Sequence, residues 1–157
     1  MPGAEEAAVR YSPPQPDPLR DTLEPVAQGL KLSLVEITVS RHRGSTQVRM
    51  VVYKDGDIGL DDCSAFHRAA LPRLELTLAG QDLYVDVSSP GVDRLIKDGA
   101  EFRYYSGRLI RCYRTDTSDW FPGLLVSSDE NGIVLEKGGE NHFLPYVIIA
   151  KARLGGI

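Results

Sequence analysis

Apolar and polar side chains alternate through "TQVRMVVYK", residues 46–54, which puts Val48, Met50 and Val52 on one side. This two-residue period follows the turn-like "RHRGS" and predicts the second arm of a hairpin. The first arm is the β-branched "LSLVEITVS" at 32–40, and a third strand is expected at 83–88 with Leu83, Val85 and Val87 together. Helical spacing frames these strands. Leu19, Leu23, Val26 and Leu30 recur on one stripe, Asp17 offers an N-cap, Pro18 suits the first helical position and Gly29 the close. A second helix is expected from Leu60, Cys63, Phe66, Ala70 and Leu74. Gly59 sits at its cap, Asp61 and Asp62 lie at the positive end of its dipole, and Pro72 interrupts it. The order helix–strand–strand–helix–strand predicts an α+β layer with two helices on one face of a small sheet.

Beyond Gly91 the pattern changes. "GRLIRCYRT", "WFPGLLVSS", "GIVLEK", "NHFLPY" and "IIAKARL" are short runs of strand character punctuated by Gly, Asp and Asn, the rhythm of a small all-β barrel. Residues 1–18 hold half of the ten prolines and few large apolar groups, and are expected to form a disordered tail. The organisation predicted is therefore a tail at 1–18, an α+β domain at 19–92, a linker at 93–99 and a β-barrel at 100–157.

Composition narrows the class. Apolar residues make up 42% and charged residues 25%, the balance of an ordinary soluble globule. Cys63 and Cys112 lie among apolar neighbours with no thiol or histidine at ligand spacing, so both read as small core hydrophobes in a reducing compartment. No signal peptide or membrane-length apolar run is present, and a cytoplasmic monomer without metal or cofactor is expected. A net charge of −4 argues against a generally basic nucleic-acid coat. The charge is uneven, however: residues 1–96 carry 10 basic and 14 acidic side chains, and residues 97–157 carry 8 of each. An acidic half beside a neutral half with arginine clusters suggests a basic protein partner, phosphate, or both.

"LYVDVSSPGVDR", residues 83–94, raises the question of catalysis. A working serine needs a base within reach and an oxyanion hole. Ser88 and Ser89 precede Pro90-Gly91 with no helix signalled after them, and His42, His67 and His142 are scattered along the chain. The turn reading is stronger: Pro90 presets φ and Gly91 supplies positive φ, which predicts a type II turn acting as a stiff elbow. Asp93 and Arg94 are expected either to pair with each other or to present Arg94 to a partner. "GDIG" at 56–59 matches a short RNA-clamping pattern but joins a strand to a helix, and Asp57 would repel phosphate; it reads as a turn. Asp55, Asp57, Asp61 and Asp62 lack the spacing of a calcium loop.

"FRYYSGRLIRCYR", residues 102–114, is richer. Arg103, Arg108, Arg111 and Arg114 occur without an acid and are interleaved with Tyr104, Tyr105 and Tyr113, the mixture expected of an RNA-contacting strand. The alternative is a solvated strand face over an aromatic core. If all four arginines met phosphates, affinity would fall with a log–log salt slope of roughly −3, at ~0.7–0.9 per contact. Lys151, in the last strand-like run, joins these candidates. Trp120 and Phe121 are expected in the core.

The SSPG block also carries a likeness. "LYVDVSSPGVDR" resembles the signature of the bacterial ribosome maturation factor RimP family. "LEPVAQGLKLSLVEITV", "DGDIGLDDC", "EFRYYSGRLIRC" and "PYVIIAKARL" are similar to further family segments in the same order, over roughly residues 19–154. Ser88, Ser89, Pro90, Gly91, Asp93 and Arg94 match the motif, as does Asp62 with Cys63. Asp86 stands where Glu is usual, Leu95 where Pro is common, and Gly59 where Ser or Thr often caps. The resemblance implies a KH-like α+β domain followed by an Sm/SH3-like barrel. It also implies a non-enzymatic assembly factor that binds the free small (30S) ribosomal subunit, through small-subunit ribosomal protein twelve and nearby rRNA. A general RNA-binding or RNA-chaperone module is the alternative.

Overall fold

The computed structural model describes residues 8–56 and 58–156. The chain divides into two compact units: residues 15–90, and residues 91–157 together with the stretch before Gln15.

In the first unit, helix α1 spans Pro18–Gly29, with the Asp17 carboxylate accepting from the Leu19 and Arg20 amides. Gly29 does not close it. Lys31 takes the left-handed conformation (φ 61°), and the Lys31 and Leu32 amides bond back to Gln28 and Ala27. Strands β1 (Ser33–His42) and β2 (Ser45–Tyr53) form the expected hairpin, with Arg43 and Gly44 at positive φ in its two-residue turn. A bulge falls between Leu34 and Glu36, where the Arg20 guanidinium donates to the Leu34 and Val35 carbonyls. Helix α2 (Leu60–Thr77) carries the chain to β3 (Asp82–Ser88), which lies parallel to β2.

Val48, Met50 and Val52 of β2 pack with Leu23, Ala27, Cys63, Phe66, Ala70 and Leu74 in one core. The alternation therefore predicted the buried face correctly, but Leu60, expected in the same stripe, is 87% exposed. Pro72 does not interrupt α2, nor does Pro25 break α1. Both prolines are exposed, as are Asp21 and Arg68 four residues earlier, so water can serve the carbonyls that lose their amide partners. Asp62, at the third helical position, accepts from the Gly59 amide at 2.9 Å and pairs with Lys54 at 3.1 Å.

In the second unit a 3-10 helix (Gly99–Tyr104) precedes β4 (Leu109–Arg114), β5 (Asp119–Ser128), β6 (Gly132–Lys137) and β7 (Glu140–Pro145). One more 3-10 turn (Tyr146–Ile148) leads into β8 (Ile149–Leu154). All pairings are antiparallel and the order is β7-β6-β5-β4-β8. The unit is β-rich as expected, but the ladders do not close a barrel. β8 instead bonds along its outer side to connecting chain: the Ile96 amide donates to Ala152, and the Val9 amide to Ile149.

These two bonds correct two expected boundaries. Residues 93–99 are not a free linker, since Ile96 is fully buried and Leu95 bridges Arg153. The expected tail falls partly on residues 1–7, outside the described residues; within residues 8–12, Val9 is buried, Arg10 bridges Asp98, and Tyr11 stacks on Tyr146 at 6.1 Å. One apolar side chain plus backbone pairing outweighs the local proline-rich composition. The Asp98 carboxylate clamps this strap, accepting from the Ser12 amide at 3.0 Å and the Ala100 amide at 2.9 Å.

Burial opposes ionisation of Asp98, but the bonds from Ser12 and Ala100 and the nearby Arg103 charge together hold its carboxyl below the usual value of 3.8. The folded group keeps its charge to lower pH than the unfolded one, so its contribution is complete above that value and is lost as pH falls through the lower folded pKa. The protection factor of the Ser12 amide, relative to its intrinsic exchange rate at each pH, is therefore expected to fall below about pH 4, and to be low at neutral pH in Asp98→Asn. Unchanged protection in that variant would show that Asp98 does not hold the strap.

Candidate nucleic-acid interface

Six basic residues were expected to reach a partner, and the fold sorts them. Arg94 is committed internally. Its Nε and Nη2 meet the two Glu101 oxygens at 2.6 and 3.0 Å, with side chains only 17% and 15% exposed. The Tyr105 hydroxyl donates to the same carboxylate at 2.8 Å, and burial first, then the Glu101 charge, pushes its pKa far above the usual tyrosine value. Arg94 is thus paired with Glu101 inside its own unit. Arg114 forms a fork with Asp116 at 3.0 and 2.7 Å and lies 5.3 Å over Phe121. Arg103 is exposed and folds over its neighbour Tyr104 at 4.7 Å. Arg108 is half-buried, its amide bonded to the Tyr105 carbonyl.

Arg111 and Lys151 fall in a different setting. In the ladders, Lys151, Tyr113 and Trp120 form one cross-strand row over β8, β4 and β5, and Arg153, Arg111 and Pro122 form the next. Residues opposite one another project from the same face, so these six side chains share the face turned away from buried Ile110, Cys112 and Ala152. Trp120 is therefore not a core residue. It is half-exposed, meets the Tyr113 ring edge-on at 5.5 Å, and lies under the Arg111 guanidinium at 5.7 Å. The Arg111 Nη1 also donates to the Leu154, Gly155 and Gly156 carbonyls at 3.3–3.4 Å, which fixes its plane. Phe121 points to the opposite face, half-buried at the sheet end between Arg114 and Lys137 and edge-on to His142.

β4 and β8 contain no acid. Asp119 precedes Trp120 with its carboxylate turned back onto the Trp120 amide at 2.8 Å, and strand alternation sends it to the other face. Glu136, opposite Leu124, marks where the acid-free area ends. Trp120 was missed as a site residue because "WFPGLLV" is apolar on both faces, so its orientation follows only from its register with β4; Arg153 was missed too, although Lys151 two residues before it was not. The buried–open alternation Ile110, Arg111, Cys112, Tyr113 places Tyr113, of the three tyrosines expected there, on the same face as Arg111.

The motif serines sit elsewhere. Ser88 ends β3 opposite Val51, and Ser89 is exposed. Gly91 is not at positive φ, so the type II turn is not formed. The turn lies two residues on, closed by the Arg94 amide donating to the Gly91 carbonyl at 3.1 Å, with Val92 and Asp93 at its corners. The Asp93 carbonyl accepts from Arg153 at 3.0 Å. The division between the two units falls between Pro90 and Gly91. No group of three or more His, Cys, Asp or Glu suited to a metal ion occurs among the described residues. None of their helices is long and apolar enough to cross a membrane. Asp57 lies outside the described residues. Burial raises the Cys112 thiol to about 12, so it is a packing group and not a nucleophile at neutral pH.

Comparison with known proteins bears on most of the chain. Residues 22–93 match the family profile of the RimP N-terminal domain. Two curated relatives, each named ribosome maturation factor RimP, come from Borrelia turicatae (strain 91E135) and Borrelia hermsii (strain HS1 / DAH). Each is 27% identical over 129 residues, covering 82% of this chain and 88% of its own length. The domain match and these relatives make the chain similar to proteins of the RimP family.

Proposed function

We propose that the chain is a non-enzymatic ribosome maturation factor of the cytoplasm that binds the free small ribosomal subunit, meeting a small-subunit ribosomal protein (protein twelve) and adjacent rRNA. The alignment with proteins named ribosome maturation factors along most of the chain carries this reading. The charge distribution supports a division of labour. Residues 1–96 carry the acidic excess, which suits a basic ribosomal protein, while the acid-free β4–β8 face suits phosphate. On this reading the first unit is KH-like, the second is an opened relative of the Sm/SH3-like barrel, and the factor acts as a monomer.

Gradient sedimentation tests the proposal. The chain is expected to travel with free small subunits and to be absent from large subunits and joined ribosomes. Equal occupancy of all three, or of none, would contradict it. The basic sheet face favours one competing reading, a general RNA-binding module. That reading predicts comparable affinity for unrelated RNA and for small subunits, measured side by side in the same salt.

A further inference from the structure

We infer that the Tyr113–Trp120 pair, with Lys151, Arg153 and the fixed Arg111, forms a stacking site for the bases of single-stranded RNA on the outer face of the β4–β5–β8 sheet. This deepens the reading above and rests on it. Three observations converge. First, two aromatic rings are held edge-on at 5.5 Å on a solvent-facing sheet surface, away from the core. An unpaired base offers an apolar face of matching size, and stacking on such rings tolerates any sequence. Second, the flanking strands supply cations without acids: Lys151 beside Tyr113, and Arg153 beside Arg111. Third, Lys97 and Lys151 line one cavity of about 210 Å³ whose walls include Ile96 and Ala150. Two ammonium groups at one concavity suit a backbone phosphate on the strand whose bases reach the rings.

The charge favours RNA over a basic protein at this face, and the aromatic pair favours unpaired bases over a duplex, whose bases are already stacked. Arg111 serves as a positioning residue here: its carbonyl bonds and its place over the indole hold Trp120 in one orientation.

Trp120 is the only tryptophan in the chain, so its fluorescence reports on this site alone. Titration of the full chain with a single-stranded RNA of roughly twelve nucleotides is expected to quench it saturably. Duplex RNA of equal length and heparin are expected to leave it little changed. Trp120→Ala is expected to weaken binding of the labelled RNA roughly 5- to 150-fold. Lys151→Gln with Arg153→Gln is expected to reduce the log–log salt slope by about 1.4, at ~0.7 per phosphate. Tyr113→Leu, which keeps apolar cover on the strand, guards against a merely unfolded variant and is also expected to weaken binding. RNA affinity unchanged in folded Trp120→Ala would show that the pair only stabilises the sheet, and would overturn the inference. Equal quenching by heparin would overturn it too, marking a simple polyanion surface. Absence of quenching alongside normal sedimentation with small subunits would remove this site while leaving the proposed function standing. Quenching without such sedimentation would do the reverse.

Discussion

Glu101→Ala is expected to destabilise the C-terminal unit by about 3 kcal/mol, the low end of what removing one partner of a buried ion pair costs. The deletion removes the carboxylate to which the Arg94 guanidinium makes 2.6 and 3.0 Å bonds and which accepts from the hydroxyl of buried Tyr105 at 2.8 Å. Urea unfolding followed through Trp120 reads this unit directly, and a lower midpoint with an unchanged slope is the expected form. Glu101→Gln keeps an acceptor for Tyr105 and is expected to cost less. Replacing the trio together, as Arg94→Met, Glu101→Leu and Tyr105→Phe, removes the buried charge and hydroxyl along with the carboxylate and is expected to recover most of the loss. A Glu101→Ala variant as stable as the parent would show that the Arg94–Glu101 pair does not hold this unit together.

Gly132→Ala is the second large effect, about 3 kcal/mol, at the upper end for overpacking. Gly132 opens β6 directly opposite Pro145 of β7. A Cβ there would stand 2.4 Å from the Leu144 carbonyl oxygen and 2.8 Å from the Pro145 Cα. The two nearest obstructing atoms are backbone, with the Phe143 ring next, so the ladder must shift and not merely one side chain. Gly29→Ala provides the contrast. It sits at the end of α1 with open space around the added methyl, and the change is expected to stabilise by up to ~1 kcal/mol through helix propensity. Thermal unfolding of both variants checks the pair, and a neutral Gly132→Ala would mean that β6 and β7 approach less closely than described.

What was legible in the sequence was local. Asp17 and Pro18 announced the start of α1, Arg43-Gly44 the hairpin, and Val48, Met50 and Val52 the buried face of β2, because caps, turns and alternation act within a few residues. What was missed depends on distant partners. Arg94 looked available until the 3-10 helix brought Glu101 to it. Val9 looked like part of a tail until its amide reached Ile149. Pro72 looked like a break because its helix position relative to solvent is a property of packing. The interface shows the same divide. The arginine-rich run was visible from composition, but only register separates Arg111 on the aromatic face from Arg114, which is paired with Asp116. The salt slope of roughly −3 expected if Arg103, Arg108, Arg111 and Arg114 all met phosphates should accordingly not be reached, since Arg114 is paired with Asp116.

The central claim is that recognition of the small subunit, and not bond chemistry, is the output of this chain, with the basic sheet face meeting rRNA. Photo-crosslinking of the chain on immature small subunits, read out by peptide mass, addresses it directly. The account predicts RNA adducts on the peptides holding Tyr113, Trp120 and Lys151. Adducts confined to residues 15–90, or none on a bound chain, would contradict it.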